Sequence, residues 1–407
     1  MTDRAARAIA ECRFVATMSE EPGRITRRFL TPPMHAVHAH LRARMEALGM
    51  TVEVDAVGNL RGLWLPVNAN SKRLVLGSHI DTVPDAGAYD GVLGVTLALE
   101  WVGLAQELAL ALAIEIIAFS EEEGVRYGVP FLGSRAVAGR FDPALLSLPD
   151  SQGASVENAI REFGLDSSRI GDAELHPGAI AFVEVHIEQG PVLEAERLSV
   201  AAVTAIVGQT RLTIQFSGHS NHAGTTPMHL RRDALAAAAE WIAAVEALAR
   251  RIGGLVATVG KITIEPNAGN VVPGVARVSL DVRHAHDATR RSAVEELLAK
   301  ADTIANRRGI SLERTDQLDQ PAVPMDERLT AFLSDALQSA GFPIKTMPSG
   351  AGHDAMVMAA RVPTAMLFLR SPGGISHHPD EAVLQEDVEA SLLVGREFLL
   401  RLAGDVG

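Results

Sequence analysis

Apolar residues in the first part of the chain alternate between helical and strand spacing. Over Pro33–Gly49 they recur every three or four residues, which predicts an amphipathic helix, and a second helical pattern covers Gly91–Ala105. Shorter apolar or alternating runs predict strands at Val52–Asp55, Leu60–Leu65, Leu74–Leu76, Ile114–Phe119 and Ile180–Val185. Strands that alternate with helices favour an α/β fold with a mostly parallel sheet that is covered on both faces.

A different order of elements begins near residue 209. Strand, helix, strand, strand, helix and strand follow one another at Gln209–Ser217, Arg231–Arg251, Ala257–Glu265, Val275–Val282, Ala288–Arg307 and Ser311–Thr315. This order predicts a small α/β sandwich of the ferredoxin-like kind. Helix and strand patterns resume after residue 321. We therefore predict one domain built from residues 1–208 and 322–407, interrupted by an inserted domain of residues 209–321.

Composition narrows the class of protein. A chain of 407 residues favours two domains. Because the net charge is −13 and the sequence has no basic patch, nucleic acid is not an expected partner. Cys12 is the only cysteine, so no intrachain disulfide can form, which fits a cytoplasmic location. The N-terminus lacks the apolar core of a signal peptide. The most apolar stretch, Leu108–Phe119, is shorter than the ~20 residues that span a bilayer, so no membrane partner is expected.

Acidic and imidazole side chains cluster in five short segments, some of them directly after a predicted strand. The segments are Gly77–Asp81, Tyr89–Gly91, Ser120–Gly124, His186–Gly190 and Ser376–Pro379. Borderline cations such as zinc and manganese accept mixed imidazole and carboxylate ligands, and a pair of them needs about three protein ligands each, with one carboxylate shared. If the fold brings the segments together, they supply such a set. The candidate ligands are His79, Asp90, Glu123, His186 and His377.

Each segment also has a structural interpretation when it is considered alone. His79 and Asp81 could form a surface pair, and Asp90 could be a helix N-cap. Glu121–Glu123 could be a solvated acidic turn, although adjacent carboxylates repel one another unless a cation is bound. His186 could be a buried core residue, and His377 and His378 could be part of a turn. In the metal interpretation, one glutamate of the acidic run binds metal while its neighbour takes a proton from water.

The predicted inserted domain carries a second group of polar residues. His222 lies in the loop Gly218–Pro227, Asn270 lies in a Gly- and Pro-containing loop, and Arg283 ends a predicted strand. An arginine can clamp a substrate carboxylate, and histidine or asparagine can donate to an oxyanion. Loop-capping polar residues and a surface arginine are the structural alternative.

Ten segments of the chain together resemble one family. They are GSHIDTV, AGAYDGVLGV, FSEEEGVRYG, FLGSRAVAG, HIEQGPVLE, HAGTTPM, GNVVPG, DVRH, SGAGHDA and GGISHHPDE. On these segments, from about Arg24 to the C-terminus, the chain resembles the dinuclear metal amidohydrolases related to aminoacylases and carboxypeptidase G. Within that group it is similar to the branch of allantoate amidohydrolase, N-carbamoyl-L-amino acid hydrolase, ureidoglycolate amidohydrolase and β-alanine synthase.

The resemblance implies two divalent metal ions per subunit, manganese or zinc. The implied ligand sets are His79, Asp90 and His186 for one ion, and Asp90, Glu123 and His377 for the other. Glu122 would be the general base, and Asp81 would orient His79. His378 stands where many relatives have asparagine or serine, so the choice between His377 and His378 stays open, with position favouring His377.

The resemblance also implies how substrate is bound. The implied substrate contacts are Gln189, Gln209, Asn270, Arg283, Gly352 and His353, with Arg283 on the carboxylate. His222 would stabilise the oxyanion in the site of the partner subunit of a homodimer. The inserted domain would then serve as a lid and dimerisation domain, and its alanine-rich helix Ala234–Ala249 could pack against a symmetry mate.

The activity implied by the resemblance is hydrolysis of a ureido C–N bond in a small carboxylate. The segments EEEGVRYGVPFLGSRAVAG and MPSGAGHDAM look most like those of allantoate amidohydrolases. N-carbamoyl-L-amino acids and ureidoglycolate are the alternative substrates. A peptidase or aminoacylase of the same group is a further alternative, although peptidase relatives usually place an acidic ligand where this chain has His186. A non-catalytic metal-binding scaffold is the alternative of another class, and no residue loss points to it.

Overall fold

The computed structural model describes residues 1–67, 69 and 71–406, and they form two compact units. The first unit comprises Met1–Thr204 and the chain from Met325 onward, and the second comprises Ala205–Pro324. Among the described residues, no helix combines the length and the apolar character that crossing a membrane requires.

The helices and strands alternate along most of the chain. The helices are α1 (Thr2–Ala16), α2 (Pro32–Ala47), α3 (Val92–Glu107), α4 (Leu132–Val137), α5 (Val156–Glu162), α6 (Val192–Glu196), α7 (Ala234–Arg251), α8 (Asp287–Arg308), α9 (Glu327–Ser339), α10 (Asp354–Met358) and α11 (Gln385–Val406). The strands are β1 (Thr51–Val54), β2 (Leu60–Trp64), β3 (Arg73–His79), β4 (Ala113–Phe119), β5 (Ala179–Ile187), β6 (Val200–Ile206), β7 (Gly208–Ser217), β8 (Asn221–His222), β9 (Val256–Thr258), β10 (Ile262–Glu265), β11 (Val271–Val272), β12 (Val275–His284), β13 (Ser311–Gln320), β14 (Val323–Pro324), β15 (Thr346–Ser349) and β16 (Thr364–Leu369).

The main sheet is mixed rather than mostly parallel. Its strand order is β1-β2-β4-β3-β5-β16-β6-β14, and β15 also pairs with β6. The four central strands, β4, β3, β5 and β16, are parallel, whereas β1, β2 and β6 pair antiparallel with their neighbours. The prediction of a mostly parallel sheet is therefore right for the centre and wrong for the flanks. The short link between β1 and β2 explains one flank, because a parallel pair needs a crossover of a dozen or more residues.

Helix α3 forms the centre of the first unit's core. It contacts β3, β4 and β5 on one side and α1 and α11 on the other, so almost all of its residues are buried. Trp101 is fully buried, and its ring lies 6.0 Å from that of Phe398 on α11. Burial of a large apolar side chain stabilises a fold by roughly 1.5–3 kcal/mol. The helix is thus firmly placed, and so is the Tyr89–Gly91 segment that leads into it.

The second unit has the strand order β10-β12-β7-β13, and all the pairs that join these strands are antiparallel. With α7 and α8 this is the arrangement of a ferredoxin-like sandwich. The two helices contact one another, and Trp241 of α7 donates its indole N–H to the Leu297 carbonyl of α8 at 2.8 Å. The prediction of one strand over Ala257–Glu265 is wrong, because β9 and β10 pair with different parts of β12 and are separated by a break.

Candidate metal centre

Three of the predicted segments lie at one edge of the main sheet. His79 is the last residue of β3, His186 is the last but one of β5, and Glu121–Glu123 begin two residues after β4. Because these strands are parallel neighbours, their carboxyl ends meet at the same edge, where α/β folds place their sites. The sequence therefore brings these side chains together through the sheet itself.

Asp90 lies at the centre of the cluster. Its Oδ1 atom is 3.5 Å from His79 Nε2 and 3.2 Å from His186 Nε2, and its Oδ2 atom is 3.3 Å from His377 Nε2. His377 Nε2 is also 3.6 Å from Glu123 Oε1. Two groups of three possible ligands therefore share one carboxylate. They are His79, Asp90 and His186, and Asp90, Glu123 and His377, each with ligand atoms within 4.8 Å of one another.

The tautomers of the buried histidines leave acceptors facing each other. His79 Nδ1 lies 3.0 Å from the Asp81 carbonyl oxygen, and His186 Nδ1 lies 2.9 Å from the Ile187 carbonyl oxygen, so each Nδ1 carries the proton. In the neutral rings the two Nε2 lone pairs then lie 3.5 Å apart, beside Asp90 Oδ1, a buried atom without a hydrogen-bond partner among the described residues. No hydrogen-bond donor lies between these three acceptor atoms. A cation can bind to all three of them, so these residues fit a bound metal.

Asp90 is not the helix N-cap that the sequence also allowed. The N-cap of α3 is Gly91, and the Asp90 side chain instead accepts hydrogen bonds from Gln189 Nε2 at 2.9 Å and Ser376 Oγ at 3.0 Å. Gly91 has a φ of +69°, and a Cβ atom there would lie 2.5 Å from the His79 ring. Glycine is therefore required at this position, since it allows both the backbone conformation and the close approach of His79.

Asp81 joins the two ligand loops. Its carboxylate accepts the backbone N–H groups of Glu122 and Glu123, each at 3.0 Å. Its carbonyl accepts from His79, while its Oδ1 atom is 3.6 Å from the same ring nitrogen. The Asp81 backbone carbonyl thus contacts the His79 ring and the Asp81 carboxylate fixes the acidic loop, while the orienting role of Asp81 stays a prediction.

Burial shapes the electrostatics of the acidic residues. It raises the pKa of Glu122 well above the usual value and that of Glu123 to about 7. Burial alone would also raise the pKa of Asp90, but the neighbouring imidazoles of His186 and His377 bring it well below the usual value. The site thus holds one firmly ionised carboxylate beside two that burial drives towards protonation. A divalent cation would favour the ionised form of all three.

The two adjacent histidines of the C-terminal segment occupy different environments. His377 reaches Asp90 and has a φ of +56°, a backbone conformation that is uncommon for a residue with a side chain. Its Nε2 atom also lies 3.4 Å from Gln189 Nε2. The His378 side chain is 57% exposed and its Nδ1 accepts from the Asp380 N–H at 3.2 Å. The geometry thus brings His377, and not His378, to the cluster.

The other predicted contacts of the first unit have varied surroundings. Gln189 donates to Asp90, so its amide is already engaged with the cluster. His353 is buried, with Nε2 2.9 Å from Ser349 Oγ and its ring 4.4 Å from that of His186. Gly352 faces Phe131, whose ring would lie 3.1 Å from an added Cβ. A substrate contact at Gly352 or His353 stays a prediction.

In the second unit, the antiparallel pairing of β8 and β11 brings His222 close to Asn270. Val271 pairs with His222, and the Ala223 N–H donates to the Asn270 carbonyl at 2.9 Å. His222 is exposed, and its Nδ1 accepts the Gly224 N–H at 3.1 Å. The neutral ring therefore carries its proton on Nε2, as a donor to an oxyanion requires.

Arg283 and Gln209 of the second unit face one another across β12 and β7. Both donate to Asp281: Arg283 Nε and Nη2 at 3.0 and 3.1 Å, and Gln209 Nε2 at 2.7 Å. Arg211 Nε also donates to Asp281, at 2.9 Å. Two arginines therefore share one carboxylate. Asp281 was missed from the sequence, although residues 281 and 283 of a strand necessarily share a face.

Comparison with known proteins identifies the family. Residues 75–405 match the family described as Peptidase family M20/M25/M40. The chain belongs to this family. Allantoate amidohydrolase of Escherichia coli (strain K12) is 37% identical to it, over 95% of this chain and 94% of the relative. N-carbamoyl-L-amino acid amidohydrolase of Geobacillus stearothermophilus is 37% identical, over 93% of this chain and 92% of the relative.

Solved structures agree with this family assignment. The crystal structure of an amidase of the hydantoinase/carbamoylase family from Burkholderia multivorans has a TM-score of 0.91 and 31% identity, and the match covers 98% of both chains. The resemblance that was inferred from the ten sequence segments is therefore confirmed.

One residue that supports the cluster in this member of the M20/M25/M40 family was missed from the sequence. Glu381 is buried, and its Oε1 atom accepts the N–H groups of Tyr89 and Asp90 at 2.8 and 3.0 Å. It thereby fixes the backbone that carries the shared carboxylate. The sequence signal for Glu381 is the last residue of the segment GGISHHPDE.

Proposed function

We propose that this protein is a metal-dependent amidohydrolase that cleaves a ureido C–N bond in a small carboxylate, with allantoate as its substrate. The observation that carries the proposal is the pair of ligand groups that share Asp90, whose buried Oδ1 atom has no hydrogen-bond partner among the described residues. The names of the relatives support the class of bond, since both act on ureido or carbamoyl compounds by name.

Two divalent ions, manganese or zinc, would supply Lewis acidity and an activated water when bound to these residues. Glu122 has the position of the general base. It lies beside His79 and Glu123, and its backbone is held by Asp81. In the proposed reaction Glu122 takes a proton from the attacking water and returns it to the leaving nitrogen. The water oxygen bonds to the ureido carbon as the C–N bond to the leaving nitrogen breaks. Ammonia is released, and the carbamic acid that remains decomposes to carbon dioxide and the free amine.

Substrate recognition is proposed for the second unit as well. Arg283 would pair with the substrate carboxylate, together with Gln209, Gln189 and Asn270, and the two arginine side chains that meet at Asp281 support this role. We propose a homodimer in which His222 acts in the site of the partner subunit, and a lid function for the second unit. The available Nε2 proton of His222 supports a role as oxyanion donor. The single buried cysteine, Cys12, supports a cytoplasmic location.

N-carbamoyl-L-amino acids are the second candidate substrates. The relative that is named for them is as similar to this chain as the allantoate enzyme, at 37% identity each. An arginine can pair with the carboxylate of allantoate or of an N-carbamoyl-L-amino acid, so turnover measurements are needed to distinguish the two substrates.

The test is ammonia release by protein loaded separately with manganese and zinc. The panel contains allantoate, ureidoglycolate, N-carbamoyl-L-amino acids, N-carbamoyl-β-alanine and an N-acetyl amino acid, each with a chelator control. We expect chelator-sensitive ammonia release from allantoate above all others. Turnover of an N-carbamoyl amino acid alone would keep the reaction and change the substrate. Release of acetate from the N-acetyl compound alone, or no turnover by metal-loaded protein, would contradict the proposed reaction.

A further inference from the structure

Residues Ile25–Phe29, here called the N-terminal bracket, join the two loops that carry the acidic residues of the candidate metal centre. The bracket lies between α1 and α2 and precedes residues 75–405, which match the family. It is tied to the chain just before Asp90 as well, since the Ala86 N–H donates to the Ile25 carbonyl at 2.8 Å.

Arg27 forms hydrogen bonds with the loop after β3 on both sides of Asp81. Its side-chain Nε donates to the Ile80 carbonyl at 2.7 Å. Its backbone N–H donates to Thr82 Oγ1 at 2.9 Å, and its carbonyl accepts the Thr82 N–H at 2.8 Å. Asp81 is therefore held through both of its chain neighbours. Since Asp81 fixes His79, Glu122 and Glu123, displacement of this loop would move ligands of both proposed ions.

Phe29 extends the same contact to the loop after β4. Its N–H donates to Glu121 Oε2 at 3.1 Å, and the other oxygen of Glu121 accepts the Arg126 N–H at 3.3 Å. Arg126 Nη1 returns to the Phe29 carbonyl at 2.7 Å. Glu121 is fully buried, and it thus acts as an acceptor for the bracket and the loop rather than as a metal ligand.

The Arg27 side chain is an unusual means of fixing a loop. It is 1% exposed, and its Nη1 donates to the Val15 and Met18 carbonyls at the end of α1, at 3.3 and 3.2 Å. Among the described residues, no carboxylate lies within ion-pair distance of it. Burial of a cation that has only carbonyl partners costs free energy, so its charge needs compensation from nearby anions. Burial lowers the pKa of Arg27 to about 10, and the negative charge of Asp81 counteracts part of this effect.

We infer that Arg27 is a positioning residue of the metal centre, which holds the Asp81 loop through the Ile80 carbonyl and Thr82 and adds a buried positive charge beside the anionic site. This inference rests on the proposed function, because it assumes that the cluster binds metal. Arg27 itself contacts neither ligand atoms nor substrate. Arg27 instead affects the positions of the ligand side chains before metal binds.

The test compares Arg27→Met with Arg4→Met. Methionine keeps much of the apolar length of arginine and removes the charge and the donors. Arg4 is the matched control, because it also ties α1 to the core, through Glu100 and Glu107, but contacts neither loop. Zn²⁺ affinity is measured by competition with a chelator, ligand geometry by the visible spectrum of Co²⁺-loaded protein, and folding by thermal melting.

We expect Arg27→Met to lower Zn²⁺ affinity by about tenfold or more and to change the Co²⁺ spectrum, as loss of a supporting residue does in metal sites. We expect Arg4→Met to lower the melting temperature and leave both metal readouts unchanged. Wild-type affinity and spectrum in Arg27→Met would overturn the inference, and so would an equal loss of affinity in Arg4→Met.

Two further outcomes are separated by the same measurements. If Arg27→Met does not fold, Thr82→Val decides, because it removes only the acceptor of the Arg27 N–H. We expect it to weaken Zn²⁺ binding by about threefold, and unchanged metal readouts there would overturn the inference. If the wild-type protein binds neither Zn²⁺ nor Co²⁺, the proposed function fails as well. Binding by the wild type with no change in the variants contradicts the positioning role alone.

Discussion

The candidate metal ligands of the first unit and the candidate substrate residues of the second unit are held in different ways. His79, Asp90 and His186 are each at most 3% exposed, and backbone carbonyls or neighbouring side chains fix their orientation. His222 is exposed on a two-residue strand, and Arg283 is partly exposed and paired with an aspartate two residues away. Ligand geometry for a cation must exist before binding, whereas groups that meet a substrate must stay accessible.

The difference also has an energetic side. Burial removes hydration from the carboxylates, and hydrogen bonds or a bound cation compensate for this loss, so we expect the first unit to depend on its cation. The Arg211, Asp281 and Arg283 cluster is partly hydrated and partly self-compensated. We therefore expect changes in the first unit to act on metal binding and rate, and changes in the second to act on substrate.

The largest effect is expected from Asp90→Asn. Asp90 is common to both ligand groups, so the substitution should remove both proposed ions and abolish turnover, with a loss of metal affinity beyond the roughly 10–100-fold that a supporting residue costs. Metal content after gel filtration, measured by mass spectrometry, checks this. Asp380→Asn, a 78% exposed aspartate of the neighbouring loop, is the control and should retain both ions. Full metal content in Asp90→Asn would contradict the proposal that Asp90 is a ligand of both ions.

Glu122→Gln separates rate from metal binding within the first unit. The amide keeps the shape of the side chain but cannot take a proton, so kcat should fall by about 10³-fold, within the range of general-base catalysis. Metal content should stay at the wild-type value. Steady-state ammonia release and metal analysis on the same sample check both statements. A variant near the wild-type rate would show that another group is the base.

A mixture of two impaired variants tests whether His222 acts in trans. His222→Ala alone should lower kcat by about 100-fold, as expected for loss of an oxyanion donor. In a hybrid dimer with Glu122→Gln, one of the two sites would hold both intact residues. Random reassociation of equal amounts should then restore about a quarter of the wild-type activity, since half of the dimers are hybrids. Activity no higher than that of the separate variants would contradict action in the partner's site.

The sequence predicted the ligand loops because their signals are local. An apolar strand that ends in a histidine or a run of glutamates is visible in a few adjacent residues. Because β3, β4 and β5 are parallel, these strand ends meet at one edge of the sheet. The acidic run was the strongest of these signals, since three adjacent carboxylates need a compensating charge. This is why β3, β4, β5 and the ligand segments could be predicted without the structure.

Residues that support the site from a distance could not be predicted in this way. Glu381 fixes Tyr89 from a position 292 residues along the chain, and Arg27 reaches the Ile80 carbonyl through its side chain. Such contacts depend on how the whole chain folds and leave no periodic pattern. The antiparallel flanks of the main sheet were missed for the same reason, because strand direction is set by pairing partners rather than by strand sequence.

The smallest effect is expected in the second unit, from Arg283→Lys. Lysine keeps the charge but loses the planar fork, so a bidentate carboxylate contact becomes a single one. KM should rise by about tenfold, which is about 1.4 kcal/mol, while kcat changes little. Arg211→Lys is the matched control, because Arg211 donates to the same Asp281 but has no proposed substrate contact. It should change KM by less than about twofold. Equal effects of the two substitutions on KM would mean that the positive charge around Asp281, rather than the geometry of Arg283, attracts the substrate carboxylate.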